Sequence, residues 1–222
     1  MTATRSLPLS SLLVTDTLEV EPAAAALLFG DQISTARAFT SNLADQGEEL
    51  GLVGPLELPR LWSRHILNCA LMAPLLRVGV VGDVGSGAGL PGLVLAIARP
   101  DVTFILIEPM ERRVAWLNDQ TKALGLGNVT VLRGRAEDVR LEHPLDQVTA
   151  RAVSAFRTLI PLTAPLLRAG GELLLMKGER ASSEVEGAAK AIQKYRVHDI
   201  EVLTLGEGVL SDVTRVIRAT VK

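Results

Sequence analysis

The 222-residue chain has a single cysteine, Cys69, only three histidines and few aromatic residues (3%). One cysteine excludes an internal disulfide and a cysteine-based metal cluster. The histidines, at positions 65, 143 and 198, form no metal-ligand pattern, so we expect no metal site. No apolar run approaches the roughly 20 residues that cross a bilayer, and the first 21 residues do not resemble a signal peptide. We therefore expect a cytoplasmic protein without membrane contact.

The chain also lacks an excess of charge of one sign. It has 23 basic and 25 acidic residues, a net charge of −2 at pH 7, which excludes a histone-like nucleic-acid binder. The charges are unevenly spread, because residues 1–59 hold two arginines and eight acids, whereas residues 60–158 hold eleven arginines, one lysine and nine acids. Arginine binds phosphate bidentately, but it is also an ordinary surface residue. The charge permits an anionic partner without requiring one.

The length and the 48% hydrophobic content fit one α/β domain with a substantial core. Residues 1–20 are predicted to be a flexible arm and residues 21–78 a small helical cap, and strands and helices alternate over residues 79–222. Helices are predicted over 22–29, 32–50 (with Asp31 as N-cap), 58–76, 91–98, 110–124, 154–167 and 182–194. Strands are predicted over 80–84, 102–107, 129–132, 145–150, 172–176, 197–205 and 214–221, the last two as a closing pair. Such alternation predicts a parallel sheet with helices on both faces.

A glycine-rich segment, residues 83–92 (DVGSGAGLPG), follows the first predicted strand and is called the glycine loop below. Glycines let the backbone turn sharply and approach a ligand closely at the carboxyl end of a sheet. Glu108 ends the second predicted strand, where an acid can bind both ribose hydroxyls of a dinucleotide or of S-adenosylmethionine (SAM). Neither feature separates these two ligands, so both stay open at this point.

Three further features favour SAM. Asp83 precedes Gly85 by two residues, and the resulting D-x-G-x-G-x-G pattern resembles motif I of class I SAM-dependent methyltransferases. Ala136-Glu137-Asp138 follows the third predicted strand, where that fold commonly contacts adenine. The chain also ends in a predicted β-hairpin and offers no second domain large enough for a hydride acceptor.

The sequence also restricts the methyl acceptor. Cytosine C5 methylation needs a nucleophilic cysteine, whereas Cys69 lies on the apolar stripe of a predicted helix. Exocyclic-amine methyltransferases usually carry a D/N-P-P-[YF] motif after the fourth strand, where this chain reads Ala150-Arg151-Ala152-Val153. A ring nitrogen with its own lone pair needs no general base. Arg151 would then be a positioning group, because a guanidinium does not deprotonate.

Residues 25–220 resemble the bacterial small-subunit ribosomal RNA guanine-N7 methyltransferase family (RsmG, or glucose-inhibited division protein B). The resemblance is carried by the glycine loop and by four short motifs, which are Trp62-Ser63-Arg64-His65-Ile66-Leu67, Arg133-Gly134-Arg135-Ala136-Glu137, Arg151-Ala152-Val153 and Lys177-Gly178. It implies a class I, Rossmann-like methyltransferase fold and SAM-dependent N7 methylation of one guanine in 16S rRNA of the 30S subunit, near the decoding site. It also implies that loss of activity gives mild streptomycin resistance.

The resemblance further implies roles for single residues. Gly85 and Leu90 would contact SAM, Ala136 and Glu137 would flank its adenine, and Arg151 would line the cofactor and substrate pocket as a positioning catalytic residue. The remaining candidates are Asp83, Gly87, Gly89 and Glu108 for SAM, His65 for catalysis, and Arg64, Arg133, Arg135 and Lys177 for RNA. The chain departs from the family pattern at Asn68-Cys69, where Asp-Ser is expected, so a negative charge is missing there.

Two other functions stay open on the sequence. One is a non-catalytic Rossmann module that binds a dinucleotide, and the other is a SAM-dependent methyltransferase of a small molecule, for which the arginine-rich middle would be incidental. Binding of labelled SAM against NAD separates the first from a methyltransferase. We expect a monomer.

Overall fold

The computed structural model describes residues 17–151, 154–210 and 212–222, so most of the predicted arm over residues 1–20 lies outside the described residues. The described residues form a seven-stranded sheet of order β3-β2-β1-β4-β5-β7-β6. Its strands are β1 (Val80–Val84), β2 (Thr103–Glu108), β3 (Val129–Arg133), β4 (Leu145–Arg151), β5 (Leu167–Lys177), β6 (Val197–Leu205) and β7 (Thr214–Val221). Strands β1 to β5 run parallel, and β7 pairs antiparallel with both β5 and β6. The predicted parallel sheet and closing strand pair are confirmed.

Helices cover both faces of this sheet. They are α1 (Ala24–Phe29), α2 (Ile33–Gln46), α3 (Asn68–Ala70), α4 (Gly92–Ala98), α5 (Glu111–Ala123), α6 (Phe156–Thr163), α7 (Ala181–Glu186) and α8 (Ala189–Lys194). Neighbouring residues of β5 separate the two faces, because Leu174 lies in one buried hydrophobic cluster and Leu173 and Leu175 lie in the other. None of the helices in the described ranges is long and apolar enough to span a membrane.

The N-terminal helical segment shares the first of these clusters with the sheet. Phe39 of α2 and Trp62 are buried together with Phe104 and Leu106 of β2. The apolar side chains of the N-terminal helical segment therefore pack against one face of the sheet. The predicted cap over residues 21–78 packs as part of the main core.

The helix predicted over 58–76 is wrong as a single element. The segment instead contains a 3₁₀ turn (Pro55–Arg60), a π-helix (Leu61–Leu67), the short α3 and a second 3₁₀ turn (Ala73–Leu75). Pro59 lacks an amide hydrogen and cannot continue an α-helical hydrogen-bond series. π-helical turns are rare and are often found at functional sites. The predicted apolar stripe that contains Cys69 is buried, but His65, which the spacing places largely off that stripe, is buried as well, and the type of helix differs.

Other predicted boundaries differ from the structure, including the helix predicted over 32–50, which ends at Gln46, and the strand predicted over 172–176, which begins at Leu167. Asp31 is not the N-cap of α2, because it lies in a 3₁₀ turn (Gly30–Gln32) that precedes the helix. The helix predicted over 154–167 ends early, because a 3₁₀ turn containing Pro165 follows α6 and β5 begins at Leu167. Gly187 ends α7 and divides the helix predicted over 182–194, consistent with the low helix propensity of glycine.

Candidate active site

The glycine loop connects β1 to α4 at the carboxyl edge of the sheet. Gly87 has φ +55°, and a Cβ at this position would meet only the Gly85 carbonyl oxygen, at 3.8 Å, among the described atoms within 4 Å. The Gly87 amide donates a hydrogen bond of 2.9 Å to Glu108 Oε2. The loop therefore leaves open space beside Gly87 and is fixed to the carboxylate that ends β2.

Glu108 is 2% exposed, and its two oxygens are oriented by backbone amides. Oε2 accepts from Gly87, and Oε1 accepts from the Met110 amide at 3.0 Å. Each carboxylate oxygen can accept more than one hydrogen bond. Both oxygens can therefore accept from a pair of ribose hydroxyls without leaving their backbone partners, which fits the predicted role of Glu108.

Asp83 is fully buried beneath the loop. Its Oδ2 accepts a hydrogen bond of 3.1 Å from the Gly92 amide, and a Cβ on Gly92 would lie 2.5 Å from that oxygen, so the close approach requires glycine. Its Oδ1 is buried without a described partner, and burial raises the pKa of this carboxyl to about 7. An unsatisfied buried carboxylate is costly, so the position favours a proton or a cationic ligand nearby.

The other predicted cofactor residues border the same edge. Leu90 and Gly89 are buried in the loop, and Gly85 is half-buried at the end of β1. Ala136 is buried and Glu137 is exposed in the turn after β3. Because β1, β2 and β3 are adjacent and parallel, the structure brings these candidates to one edge, called the cofactor edge below. Their contacts with SAM stay a prediction.

A pocket of about 800 Å³ lies at the carboxyl ends of β4 and β5 and is called the Arg151 pocket. Its volume is within the range of small-ligand sites, and it carries charges of both signs. Its charged lining residues are Glu57, Arg64, Arg151, Lys177, Glu179, Glu184, Asp212 and Arg215, and its polar ones include His65, Asn68, Ser154 and Thr214. The pocket is therefore not a uniformly basic surface for phosphate.

Arg151 ends β4 and borders both regions of the site, since β4 pairs with β1 through Thr149 and Asp83. Its Nη2 contacts His65 Nδ1, and its Nη1 lies 3.5 Å from the Cys69 sulfur. The other ring nitrogen of His65, Nε2, lies 2.6 Å from Glu57 Oε2. Burial, and then the charge of Arg151, lowers the pKa of His65. The motif continues into Ala152 and Val153, which lie outside the described residues.

Lys177 is almost enclosed, with 6% of its side chain exposed. Its ammonium lies 3.0 Å from Glu184 Oε2 and donates a hydrogen bond of 2.5 Å to the Ser154 carbonyl. The same Glu184 oxygen accepts from the Phe156 amide at 2.8 Å. Lys177 therefore joins the end of β5 to the segment after β4, and its predicted RNA contact stays a prediction.

The other RNA candidates are exposed. Arg64 lies 3.7 Å from Glu57, and Arg133 makes a surface ion pair of 3.1 Å with Glu111. Arg133 pairs in register with Glu108, so it and Arg135, two residues further on, lie at the carboxyl edge of the sheet. Their contact with RNA stays a prediction.

The sequence did not indicate Glu57, Glu184 or Ser154 as site residues. Glu57 and His65 are eight residues apart, about 12 Å along a continuous α-helix, and Pro59 lies between them, so the sequence does not predict their contact. Ser154 has a buried Oγ without a described partner, and only its position after the Arg-Ala pair could have signalled it. At the departure from the family pattern, Asn68 donates to the Arg64 carbonyl at 3.1 Å, and its Oδ1 is buried without a described partner.

Comparison with known proteins gives a family match over most of the chain. A family model described as rRNA small subunit methyltransferase G (GidB) matches residues 32–213. The ribosomal RNA small subunit methyltransferase G of Leifsonia xyli subsp. xyli is 73% identical over 209 residues, covering 94% of this chain and 100% of that protein. The protein of the same name from Clavibacter michiganensis subsp. michiganensis is 67% identical over 204 residues, covering 92% and 97%.

Solved structures show the fold. The N-methyltransferase NodS from Bradyrhizobium japonicum, in complex with S-adenosyl-L-homocysteine, matches with a TM-score of 0.55 and 15% identity, covering 84% of this chain and 98% of that chain. TYW2 from M. jannaschii, in complex with AdoMet, matches with a TM-score of 0.55 and 22% identity, covering 72% and 76%. The chain has the class I SAM-dependent methyltransferase fold.

Proposed function

The chain belongs to the rRNA small subunit methyltransferase G family, and on this premise we propose that it transfers a methyl group from SAM to N7 of a guanine in 16S rRNA. Family membership decides between the ligands that the glycine loop left open, in favour of SAM. The arrangement around Arg151 supports N7 as the acceptor.

That support comes from the protonation state of the groups nearest Arg151. A guanidinium cannot take up a proton, and both ring nitrogens of His65 are engaged, one with Glu57 and one with Arg151. These groups form a positioning site without a free general base. Guanine N7 carries a lone pair and no proton, so it can attack without one. Much of the rate can then come from alignment of the reactants.

The cofactor edge fits SAM by its own chemistry. SAM supplies an electrophilic methyl group on a positively charged sulfur when it is bound. Glu108 would accept from the ribose hydroxyls, the glycine loop and Leu90 would contact the chain of the ligand, and Ala136 with Glu137 would flank the adenine. Asp83 would add negative potential beneath the loop, where its Oδ1 lacks a described partner.

The Arg151 pocket would hold the acceptor. A guanine extruded from its loop could enter it, as nucleic-acid-modifying enzymes commonly require. Arg151 would donate to an acceptor atom of the base or its phosphate and leave N7 free. Ser154 Oγ and Asn68 Oδ1 offer further hydrogen-bonding groups, because neither has a described partner.

We also propose that the substrate is the assembled 30S subunit, that the enzyme works as a monomer, and that it acts in the cytoplasm with its substrate. The net charge of −2 and the mixed charges of the pocket support recognition of shape more than general attraction to phosphate. RNA contact would then come from exposed arginines such as Arg64, Arg133 and Arg135.

The test is methyl transfer from labelled SAM to unmodified 30S subunits and, in parallel, to naked unmodified 16S rRNA, followed by nucleoside mass spectrometry. We expect a single new 7-methylguanosine, formed on the 30S subunit. Label in another nucleoside would overturn the N7 assignment, and equal labelling of naked rRNA would overturn the requirement for the particle. No label despite measurable SAM binding would favour a small-molecule acceptor.

A further inference from the structure

Glu57, His65 and Arg151 form a chain of contacts between separate segments of the fold. Glu57 lies in the 3₁₀ turn before the π-helix, His65 lies within the π-helix, and Arg151 ends β4. Glu57 Oε2 lies 2.6 Å from His65 Nε2, and His65 Nδ1 contacts Arg151 Nη2. The N-terminal helical segment therefore contacts the end of β4 through this imidazole, in addition to the contact between Cys69 and Arg151.

The chemistry of the two ends fixes the proton positions. A guanidinium has donors and no acceptor, so His65 Nδ1 must accept from Arg151. The ring is then neutral, its proton is on Nε2, and this N–H donates to the Glu57 carboxylate. Although partial burial opposes it, the hydrogen bonds from His65 and Arg60 lower the pKa of Glu57, so that the carboxylate is ionised.

The surrounding charges have defined places. The other oxygen of Glu57, Oε1, forms an ion pair of 2.5 Å with Arg60 Nη2, and Arg64 Nε lies 3.7 Å from Oε2. On the far side, the second described side-chain partner of Arg151 is the sulfur of Cys69, and burial raises the pKa of this thiol to about 11, so it is neutral. From β1, Asp83 also contributes to raising the pKa of the Cys69 thiol, and the charge of Arg151 acts to lower the pKa of Asp83.

Arg151 is thus held by a neutral ring and a neutral thiol, and no carboxylate forms an ion pair with it in the described ranges. A carboxylate in direct contact would hold the guanidinium equally well, but it would cancel the positive charge that a substrate anion or carbonyl oxygen needs. In this structure the negative charge is on Glu57, one residue further away from Arg151. Glu57 orients the imidazole, and the positive charge of Arg151 stays available to the substrate. Such indirect support is how outer residues orient a functional group at other sites.

We propose that Glu57 and His65 are positioning residues that hold the Arg151 guanidinium toward the acceptor while leaving its charge available to the substrate. The inference rests on the proposed function, since it assigns Arg151 to the acceptor. It predicts an acid limit to activity. Protonation of His65 places an N–H against an N–H of Arg151, which removes the acceptor and repels the guanidinium.

The first measurement determines the protonation state of His65, between Glu57 and Arg151, in the absence of substrate. The protein has three histidines, so ¹⁵N imidazole spectra can be assigned by substituting His143 and His198 in turn. We expect His65 to be neutral at pH 7 with its proton on Nε2. Glu57→Gln should lower the pKa of His65 by about one pH unit, and Arg151→Met should raise it by a similar amount, because nearby charges shift a pKa by this much or more.

The second measurement is methyl transfer as a function of pH. Glu57→Gln should lower kcat about tenfold or more and leave the Kd for SAM unchanged. Because this substitution lowers the pKa of His65, the loss of activity at acid pH, called the acid limb of the pH profile, should move to lower pH. His65→Asn places an amide oxygen near the position of Nδ1 and keeps an acceptor for Arg151, whereas His65→Gln places its amide near Nε2 and does not. The Asn variant should therefore retain more activity than the Gln variant and lose the acid limb.

Glu21→Gln is the matched control, because Glu21 forms an ion pair of 2.6 Å with Arg37 in the same N-terminal segment. It should change neither kcat nor the pH profile, and thermal unfolding checks that each variant folds. A His65 proton on Nδ1, or equal activity of the His65→Asn and His65→Gln variants, would overturn the inference even if 7-methylguanosine forms. Absence of 7-methylguanosine with the wild-type protein would instead overturn the proposed function. The spectra would still decide whether the contacts between Glu57, His65 and Arg151 are formed.

Discussion

At the cofactor edge, two buried carboxyl groups and several backbone amides provide most of the polar groups, and the two carboxyl groups lie within 26 residues of sequence, from Asp83 to Glu108. In the Arg151 pocket, the polar groups include charged side chains from the 3₁₀ turn, the π-helix, β4, β5, α7, β7 and the segments that flank these strands. The first region is oriented by hydrogen bonds to backbone whose place the sheet dictates. The second depends on pairs such as Lys177 with Glu184, so one substitution there leaves a partner uncompensated.

If the cofactor edge binds SAM and the Arg151 pocket binds the acceptor, the largest effect on kcat should come from Arg151, which borders both. Arg151→Ala should lower kcat about 10²–10³-fold, because loss of alignment alone can cost 10²-fold, while SAM affinity changes by less than about threefold. Isothermal calorimetry of SAM beside single-turnover methyl transfer checks this. Arg168→Ala, which removes an arginine paired with Asp146 at the opposite end of the same strands, is the control. An equal loss of SAM affinity would erase the division.

The buried acid of the cofactor edge should make stability depend on pH. The pKa of Asp83 rises from an ordinary 3.8 to about 7 in the fold, so between these values the unfolded chain is ionised while the folded protein keeps the proton. The free energy of unfolding should therefore fall as pH rises and level off above pH 7. Between pH 5 and 8 the free energy of unfolding of the wild-type protein should decrease by on the order of 2–3 kcal/mol. Urea unfolding should show no such decrease for Asp83→Asn. Parallel curves for the two proteins would contradict it.

A substitution at the end of β2 should affect the cofactor alone. Glu108→Gln should weaken SAM binding about 10- to 100-fold, because hydrogen bonds to a charged group are each worth about 1.5–3 kcal/mol and the new NH₂ would face the Gly87 or Met110 amide. Calorimetry measures this, with exposed Glu111→Gln as the matched control. A Glu108→Gln enzyme that binds SAM normally but transfers slowly would place this carboxylate with the acceptor instead.

The smallest effect should come from exposed charge at the rim. Replacing Arg133 and Arg135 together by alanine should weaken rRNA binding and flatten the slope of log K against log salt by about 1 to 2, one for each phosphate that an arginine no longer neutralises. Filter binding at several salt concentrations checks this. Alanine at Lys190 and Lys194 removes the same charge from α8 and should leave the slope unchanged. An unchanged slope in the arginine variant would remove both residues from the interface.

The difference between the two regions also explains what the sequence could predict. Strands β1 to β4 and the glycine loop were located within one or two residues, because short apolar runs and glycines act through local backbone geometry. The Glu57–His65–Arg151 chain could not be found in this way, since it depends on a π-helix whose hydrogen bonding the apolar pattern does not distinguish from an α-helix. The ion pair between Lys177 and Glu184 could not be predicted either, because nothing in the residues around Lys177 indicates which acid contacts it. The contact of Lys177 with RNA stays a prediction.

The π-helix over Leu61–Leu67 changes how this segment would respond to a change in length. A π-helical turn closes with one more residue than an α-helical turn, so a one-residue deletion there can be absorbed when that turn closes as an α-helical turn. In an α-helix such as α2, the same deletion would rotate every following side chain by about 100°. A one-codon deletion should therefore be tolerated better between Leu61 and Leu67 than within α2, where it would turn the following apolar side chains off the core.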